Sequence, residues 1–139
     1  MKKENEKVLE DFLQHADSIS DDIMEEFREM LGTLPFIFTL LRERADVFAL
    51  STLADERICR PKNLSPKTAE LVTIAAAAGM GAEGCLKVHM QAAVKEGASR
   101  EEIFDTIMIA SMIGKTKILA NSLRHMRDSF PGDPEGVSH

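Results

Sequence analysis

Apolar residues recur at helical spacing along nearly the whole of this chain, and no stretch alternates apolar and polar residues between hairpin turns. A sheet is thereby excluded, and packed helices remain as the way to bury apolar surface. The predicted class is all-α, a bundle of roughly six to eight helices.

Local signals divide that pattern into elements. A first helix is predicted over Asn5 to Ala16, with Val8, Leu9, Phe12 and Leu13 on one side. Ser20 is a candidate N-cap for a second helix, with Asp21 and Asp22 in its first turn and Gly32 as its stop. Pro35 suits the first turn of a third helix, and the cluster Arg42-Glu43-Arg44 separates it from a fourth over Asp46 to Arg57. After the loop Arg60 to Asn63, Ser65-Pro66 is an N-cap followed by proline at the first helical position. It opens a helix to Ala78 that is apolar almost all round and therefore expected at the centre. Gly79-Met80-Gly81 breaks it, and the next helix, Ala82 to Glu96, stops at Gly97. Ser99 and Glu102 form a capping box ahead of a helix expected to pause near Gly114, with a last helix from Lys115 to Phe130. Residues 1–32 read as an N-terminal helical extension packed on a core domain over 33–130, and residues 131–139 as a flexible tail.

Composition bounds the function. Seventeen basic against twenty-three acidic residues give a net charge of −6, which repels a phosphate backbone, and the chain has neither Trp nor Tyr for base stacking. Nucleic acid is not an expected partner. No apolar run approaches the roughly 20 residues of a membrane span, and the charged first residues lack the apolar segment of a secretory signal. A reducing, cytoplasmic setting is the expectation, in which Cys59 and Cys85 are thiols or a redox site rather than a structural disulfide. No flavin, haem or metal is expected, because a chain without Trp or Tyr gives no sign of an aromatic-lined cofactor pocket, and His15, His125 and His139 make no ligand spacing with either cysteine. Met90, Met108, Met112 and Met126 are spaced like core filler, and the acidic stretch Asp21 to Glu29 like a solvated face.

Cys85 and His89 are four apart on one predicted helix, so their side chains share a face one turn from each other. An imidazole there can take the thiol proton, and the nearby helix start also favours negative charge. Glu70, the only charged residue between Ala69 and Gly81, could orient that imidazole if its helix packs antiparallel to the Cys85 helix. Each residue also has an ordinary role: a small core cysteine, a satisfied histidine, a glutamate complementing a helix dipole.

The run from Glu70 through Gly81-Ala82-Glu83-Gly84-Cys85-Leu86-Lys87-Val88-His89, then Ala92-Ala93, Gly97 and Ser99 to Ile103, resembles a family motif. The motif is that of the carboxymuconolactone decarboxylase superfamily in its alkylhydroperoxidase AhpD-like branch: Glu, eleven residues, Cys-x-x-Cys-x-x-x-His, a Gly and a capped helix. Glu70, Cys85 and His89 match three of its four functional positions, and Ala82 stands where the first cysteine belongs. The resemblance implies a peroxidase of peroxiredoxin type, or a thiol-disulfide oxidoreductase. Cys85 is then the nucleophile, with His89 and Glu70 as the proton relay. With no thiol at position 82, the possible resolving groups are Cys59, a small-molecule thiol or another subunit, and the alternative for Cys59 is no role. Two further readings stay open: an acid/base enzyme like the lactone decarboxylases, using His89 and Glu70 alone, and a non-catalytic family member. A homo-oligomer is expected from the surplus of apolar helix faces, and the resemblance implies a trimer or hexamer acting on a small-molecule peroxide, disulfide or lactone.

Overall fold

The computed structural model describes residues 1–130, and all its regular elements are helical. In chain order they are α1 (Lys3–Gln14), α2 (Ala16–Leu31), α3 (Phe36–Leu41), a 3-10 turn (Arg42–Arg44), α4 (Ala45–Cys59), α5 (Pro66–Met80), α6 (Glu83–Lys95) and α7 (Arg100–Ser129). The all-α expectation holds, and the expected tail at 131–139 lies outside the described residues. None of these helices is long and apolar enough to cross a membrane. The chain forms two compact units that meet in sequence between Ala69 and Glu70, inside α5.

The first unit is organised by an apolar stripe on α2. Ala16, Ile19, Ile23 and Phe27 recur at helical spacing, and the stripe packs on Phe48 and Ala49 of α4, both fully buried, with Phe12, Phe38 and Leu53 closing around them. Phe38 meets Phe27 edge-on at 4.7 Å between ring centroids and Phe48 at 5.4 Å. Ser20 lies within that stripe and is not an N-cap. The helix begins four residues earlier, at Ala16, and the fully buried Ser20 hydroxyl donates to the Ala45 carbonyl oxygen at 3.0 Å. Continuity of the apolar face outweighed the capping preference of serine, whose hydroxyl found a backbone acceptor on the next layer instead.

Arg42 ties the 3-10 turn to α2 at the surface, its guanidinium reaching Asp21 at 2.9 Å and Asp17 at 2.8 Å. Those hydrogen bonds, to Asp21 first and Asp17 second, raise the arginine pKa further above its ordinary value. Gly32 ends α2 as expected, in the left-handed region at φ 73° with its N–H donating to Arg28.

The second unit has a smaller core. Ile74 and Ala93 are fully buried, Ala98 nearly so, and Leu71, Leu86, Met90, Ile103 and Ile107 pack around them. The helix that reads as apolar all round, α5, is buried on one flank only, since Val72 and Met80 are 55% and 84% exposed. Two sequence expectations fail on α7. Gly114 does not interrupt it, because one glycine costs only about 1 kcal/mol relative to alanine and neighbouring turns carry the helix across. Met108, Met112 and Met126 are half exposed rather than core filler, and of the four methionines only Met90 packs into the cluster.

Candidate active site

Three sharply terminated helices set the geometry. Ser65 caps α5 by accepting the Thr68 N–H at 3.1 Å, and Pro66 occupies the first helical position. Glu70 follows on the second turn. At the other end Gly81 takes φ 70°, and two reversed backbone bonds close the helix: Ala82 N–H to Ala77 O at 2.9 Å and Gly81 N–H to Ala78 O at 3.2 Å. This pair of bonds is the Schellman arrangement, and the left-handed residue it needs is why a glycine stands there. Only Gly81 and Ala82 separate α5 from α6, so the chain reverses direction at once.

Ala82 is the N-cap residue of α6, without a side-chain cap, and its carbonyl accepts the Leu86 N–H at 3.0 Å. Cys85 therefore sits at the third helical position, in the first turn, where unsatisfied N–H groups and the helix dipole favour an anion. Its side chain is exposed. His89 follows one turn later on the same face.

The hairpin brings Glu70 and His89 together. His89 Nδ1 lies 2.8 Å from Glu70 Oε2, with the imidazole 20% and the carboxylate 14% exposed. A carboxylate can only accept, so Nδ1 carries the proton, and Nε2 is the nitrogen left to exchange one. Ile74, one turn after Glu70, and Ala93, one turn after His89, are both fully buried in one cluster and hold the two helices in this register. The sequence reading gives neither residue this supporting role. They sit four residues beyond the polar pair on each helix, which is the signal that finds them.

At the far end of α6, Gly97 at φ 81° repeats the same closure, with Ala98 N–H bonded to Ala93 O at 2.9 Å. The Ser99–Glu102 capping box then forms in full. The Ser99 hydroxyl accepts the Glu102 N–H at 3.1 Å, and the Glu102 carboxylate accepts the Ser99 N–H at 2.8 Å. This sequence-predicted cap starts α7, whose first turns carry Ile103 and Ile107 into the core beneath the pair.

Of the sequence-predicted residues, Glu70, Cys85 and His89 all fall in the second unit, and two of them bond directly. Cys59 is the last residue of α4 and belongs to the first unit. Neither cysteine forms a disulfide. Chemically, a fixed imidazole backed by a carboxylate, one turn from an exposed thiol at a helix start, can move a proton to or from a group bound against that turn.

The model of the carboxymuconolactone decarboxylase family matches residues 45–128, more than half of the chain and all of α4, α5 and α6. No curated protein and no solved structure gives a significant match.

Proposed function

The chain belongs to the carboxymuconolactone decarboxylase family, and from that premise we propose that it is a cysteine-dependent peroxidase or thiol-disulfide oxidoreductase of the AhpD-like type. Cys85 is its nucleophile, and His89 and Glu70 form its proton relay. The observation that carries this reading is the 2.8 Å bond from Glu70 to His89, on the face and one turn from the exposed Cys85.

The chemistry balances with these groups and a thiol co-substrate. His89 Nε2 takes the Cys85 thiol proton, the thiolate attacks one peroxide oxygen, an S–O bond forms as O–O breaks, and sulfur supplies both electrons. The departing oxygen takes the proton held at His89 Nε2 and leaves as an alcohol or as water. A thiol then condenses with the sulfenic acid, releasing water and leaving a mixed disulfide, and a second thiol regenerates Cys85 by exchange. Ala82 has no thiol to contribute, and Cys85 is the only cysteine from Glu70 onward. The resolving thiol in this reading is a small molecule such as glutathione, a thiol of another subunit, or Cys59, and exposure of Cys85 suits an external partner.

A second reading has its own support: the Glu70–His89 pair is complete without the cysteine, and the matched family is named for a lactone decarboxylase. In that case His89 moves a substrate proton and Cys85 lines the site. Substitutions separate the two. Under the redox reading Cys85→Ser abolishes peroxide consumption with added thiol, His89→Gln lowers it by about 100-fold, and Ala82→Cys speeds turnover by supplying an internal resolving thiol. Activity that survives Cys85→Ser and is lost in His89→Gln replaces the redox reading with the acid/base one.

A further inference from the structure

The bond between Glu70 and His89 sets up more than one kind of reaction. It holds the imidazole by Nδ1 and leaves Nε2 to exchange a proton, one turn from a nucleophile on the same face. Carboxylate, imidazole and nucleophile in those roles are the parts of acyl-transfer catalysis, which is recognised by geometry rather than by fold. Such a constellation needs one part more: donors aimed at the oxygen that becomes negative when a carbonyl carbon is attacked.

The start of α6 has such donors. Ala82, its N-cap residue, has no side chain that accepts a hydrogen bond, the Glu83 N–H turns back to Gly81 O at 3.1 Å, and the Leu86 N–H bonds to Ala82 O. Among the described residues nothing accepts the N–H of Gly84 or of Cys85. Both lie at the end of α6 toward which helical side chains lean, so the thiol and the donors open on one side. Gly84 leaves that place bare. A Cβ there would meet no heavy atom within 4 Å, so packing within the chain does not demand a glycine. Backbone without a side chain, next to an exposed thiol, admits a ligand to close approach.

We propose that Cys85, His89 and Glu70, with the N–H groups of Gly84 and Cys85 as oxyanion donors, also catalyse the hydrolysis of acyl thioesters. This rests on the reading of Cys85 as a nucleophile served by His89, and adds a second reaction at the same residues. His89 Nε2 takes the Cys85 proton, and the thiolate adds to the thioester carbonyl carbon, whose oxygen becomes the anion held by the two N–H groups. The carbonyl re-forms, the carrier thiol leaves with the proton from Nε2, and the acyl group stays on Cys85. Water then gives a proton to Nε2 and its oxygen to the acyl carbon, and the Cys85 sulfur leaves and regains that proton, with a free acid as product. Thioesters are the fitting class because one thiolate replaces another of similar basicity, whereas an ester or amide must expel a far more basic group. The cycle needs only water. The alanine at position 82, which denies a redox cycle its internal resolving thiol, is no obstacle here.

The full chain incubated with S-acetyl-N-acetylcysteamine tests this, followed by loss of thioester absorbance and by the mass of the Cys85 peptide in quenched samples. The wild type consumes many equivalents of thioester per chain and carries an acetyl group on Cys85. Cys85→Ser abolishes both, and His89→Gln lowers turnover by about 100-fold. Ala82→Ser and Ala82→Asp separate the donors from the thiol: either side chain caps α6 by accepting one of the two N–H groups, so turnover falls by about 100-fold. Alkylation of Cys85 by iodoacetamide in Ala82→Ser stays within about threefold of wild type, because thiol and imidazole are untouched. Acetyl on Cys85 without turnover, or no acetyl there at all, overturns the proposal, and peroxide consumption by the same preparation then leaves the redox reading standing without it. Thioester turnover without peroxide consumption has the opposite meaning: the hydrolysis stands and the redox reading goes. Turnover that persists in Cys85→Ser overturns the proposal as well, and undiminished turnover in both capped variants removes the N–H groups from the site.

Discussion

In the unit that ends at Ala69, polar side chains join helices over a core of interlocking phenylalanines; in the unit that begins at Glu70, a smaller aliphatic core holds a polar pair at its edge. Arg42 reaches two aspartates of α2, and Ser20 reaches the backbone at Ala45, so each contact ties one element to the next. The corresponding bond between α5 and α6 joins Glu70 to His89, two side chains that can also do chemistry. Bulk accounts for part of the difference. Phe27, Phe38 and Phe48 interlock in the first core beside Ile23 and Ala49, whereas the buried residues of the second are Ile74 and the small Ala93 and Ala98.

The comparison breaks most visibly at Phe48. Its ring is 1% exposed at the middle of the aromatic cluster, and Phe48→Ala should cost about 3–5 kcal/mol in chemical denaturation. The rate at which Cys85 reacts with iodoacetamide under native conditions should stay within about twofold, because Phe48 belongs to a different cluster from the one beneath Glu70 and His89. Equal losses in both measurements would mean that the two cores act as one.

A substitution at Ile74 sharpens the contrast. Ile74→Ala should cost about 2–5 kcal/mol and, unlike Phe48→Ala, should also slow Cys85 alkylation, because the register that brings Glu70 to His89 rests on it. Stability lost with alkylation unchanged would show that the polar pair holds its own geometry.

The smallest effect concerns acid. The hydrogen bond from Arg44, foremost among its causes, holds the Asp46 carboxyl below the usual carboxylate range. A folded-state pKa below the unfolded one contributes stability that is present above the ordinary carboxylate value and is lost as pH falls through the folded value. Asp46→Asn should therefore lower stability slightly at pH 7, where that contribution is present, and change little once pH has fallen through the folded value, so that the decline below about pH 4 is flatter, as followed by urea midpoints across that range. An unaltered acid slope would remove Asp46 from the account.

Much of this is legible in the sequence. Helix stops at Gly32 and Gly97, the Ser65-Pro66 start and the Ser99–Glu102 box are local devices, and each formed because its hydrogen bonds need only neighbouring residues. The spacing of Cys85 and His89 is local as well. Glu70 required one inference beyond that, an antiparallel hairpin, which the two-residue turn at Gly81-Ala82 enforces. Ser20 misled because a buried serine and a capping serine look alike until its acceptor at Ala45 is known. Gly114 misled because glycine propensity is weak beside the continuity of a long helix. The methionines of α7 have core periodicity, and spacing alone does not say whether the layer they face belongs to the same chain.

The central claim is that Glu70, through His89, sets the reactivity of Cys85, and the most direct measurement is the iodoacetamide alkylation rate of Cys85 near pH 7. Alkylation is followed by peptide mass in the wild type, Glu70→Gln and His89→Gln. The account predicts that His89→Gln slows alkylation by about tenfold or more. Glu70→Gln should slow it by a smaller factor in the same direction, because the imidazole is still present and has lost only its orienting carboxylate. Identical rates in all three proteins would contradict the claim and leave Cys85 an exposed thiol beside a polar pair that serves another purpose.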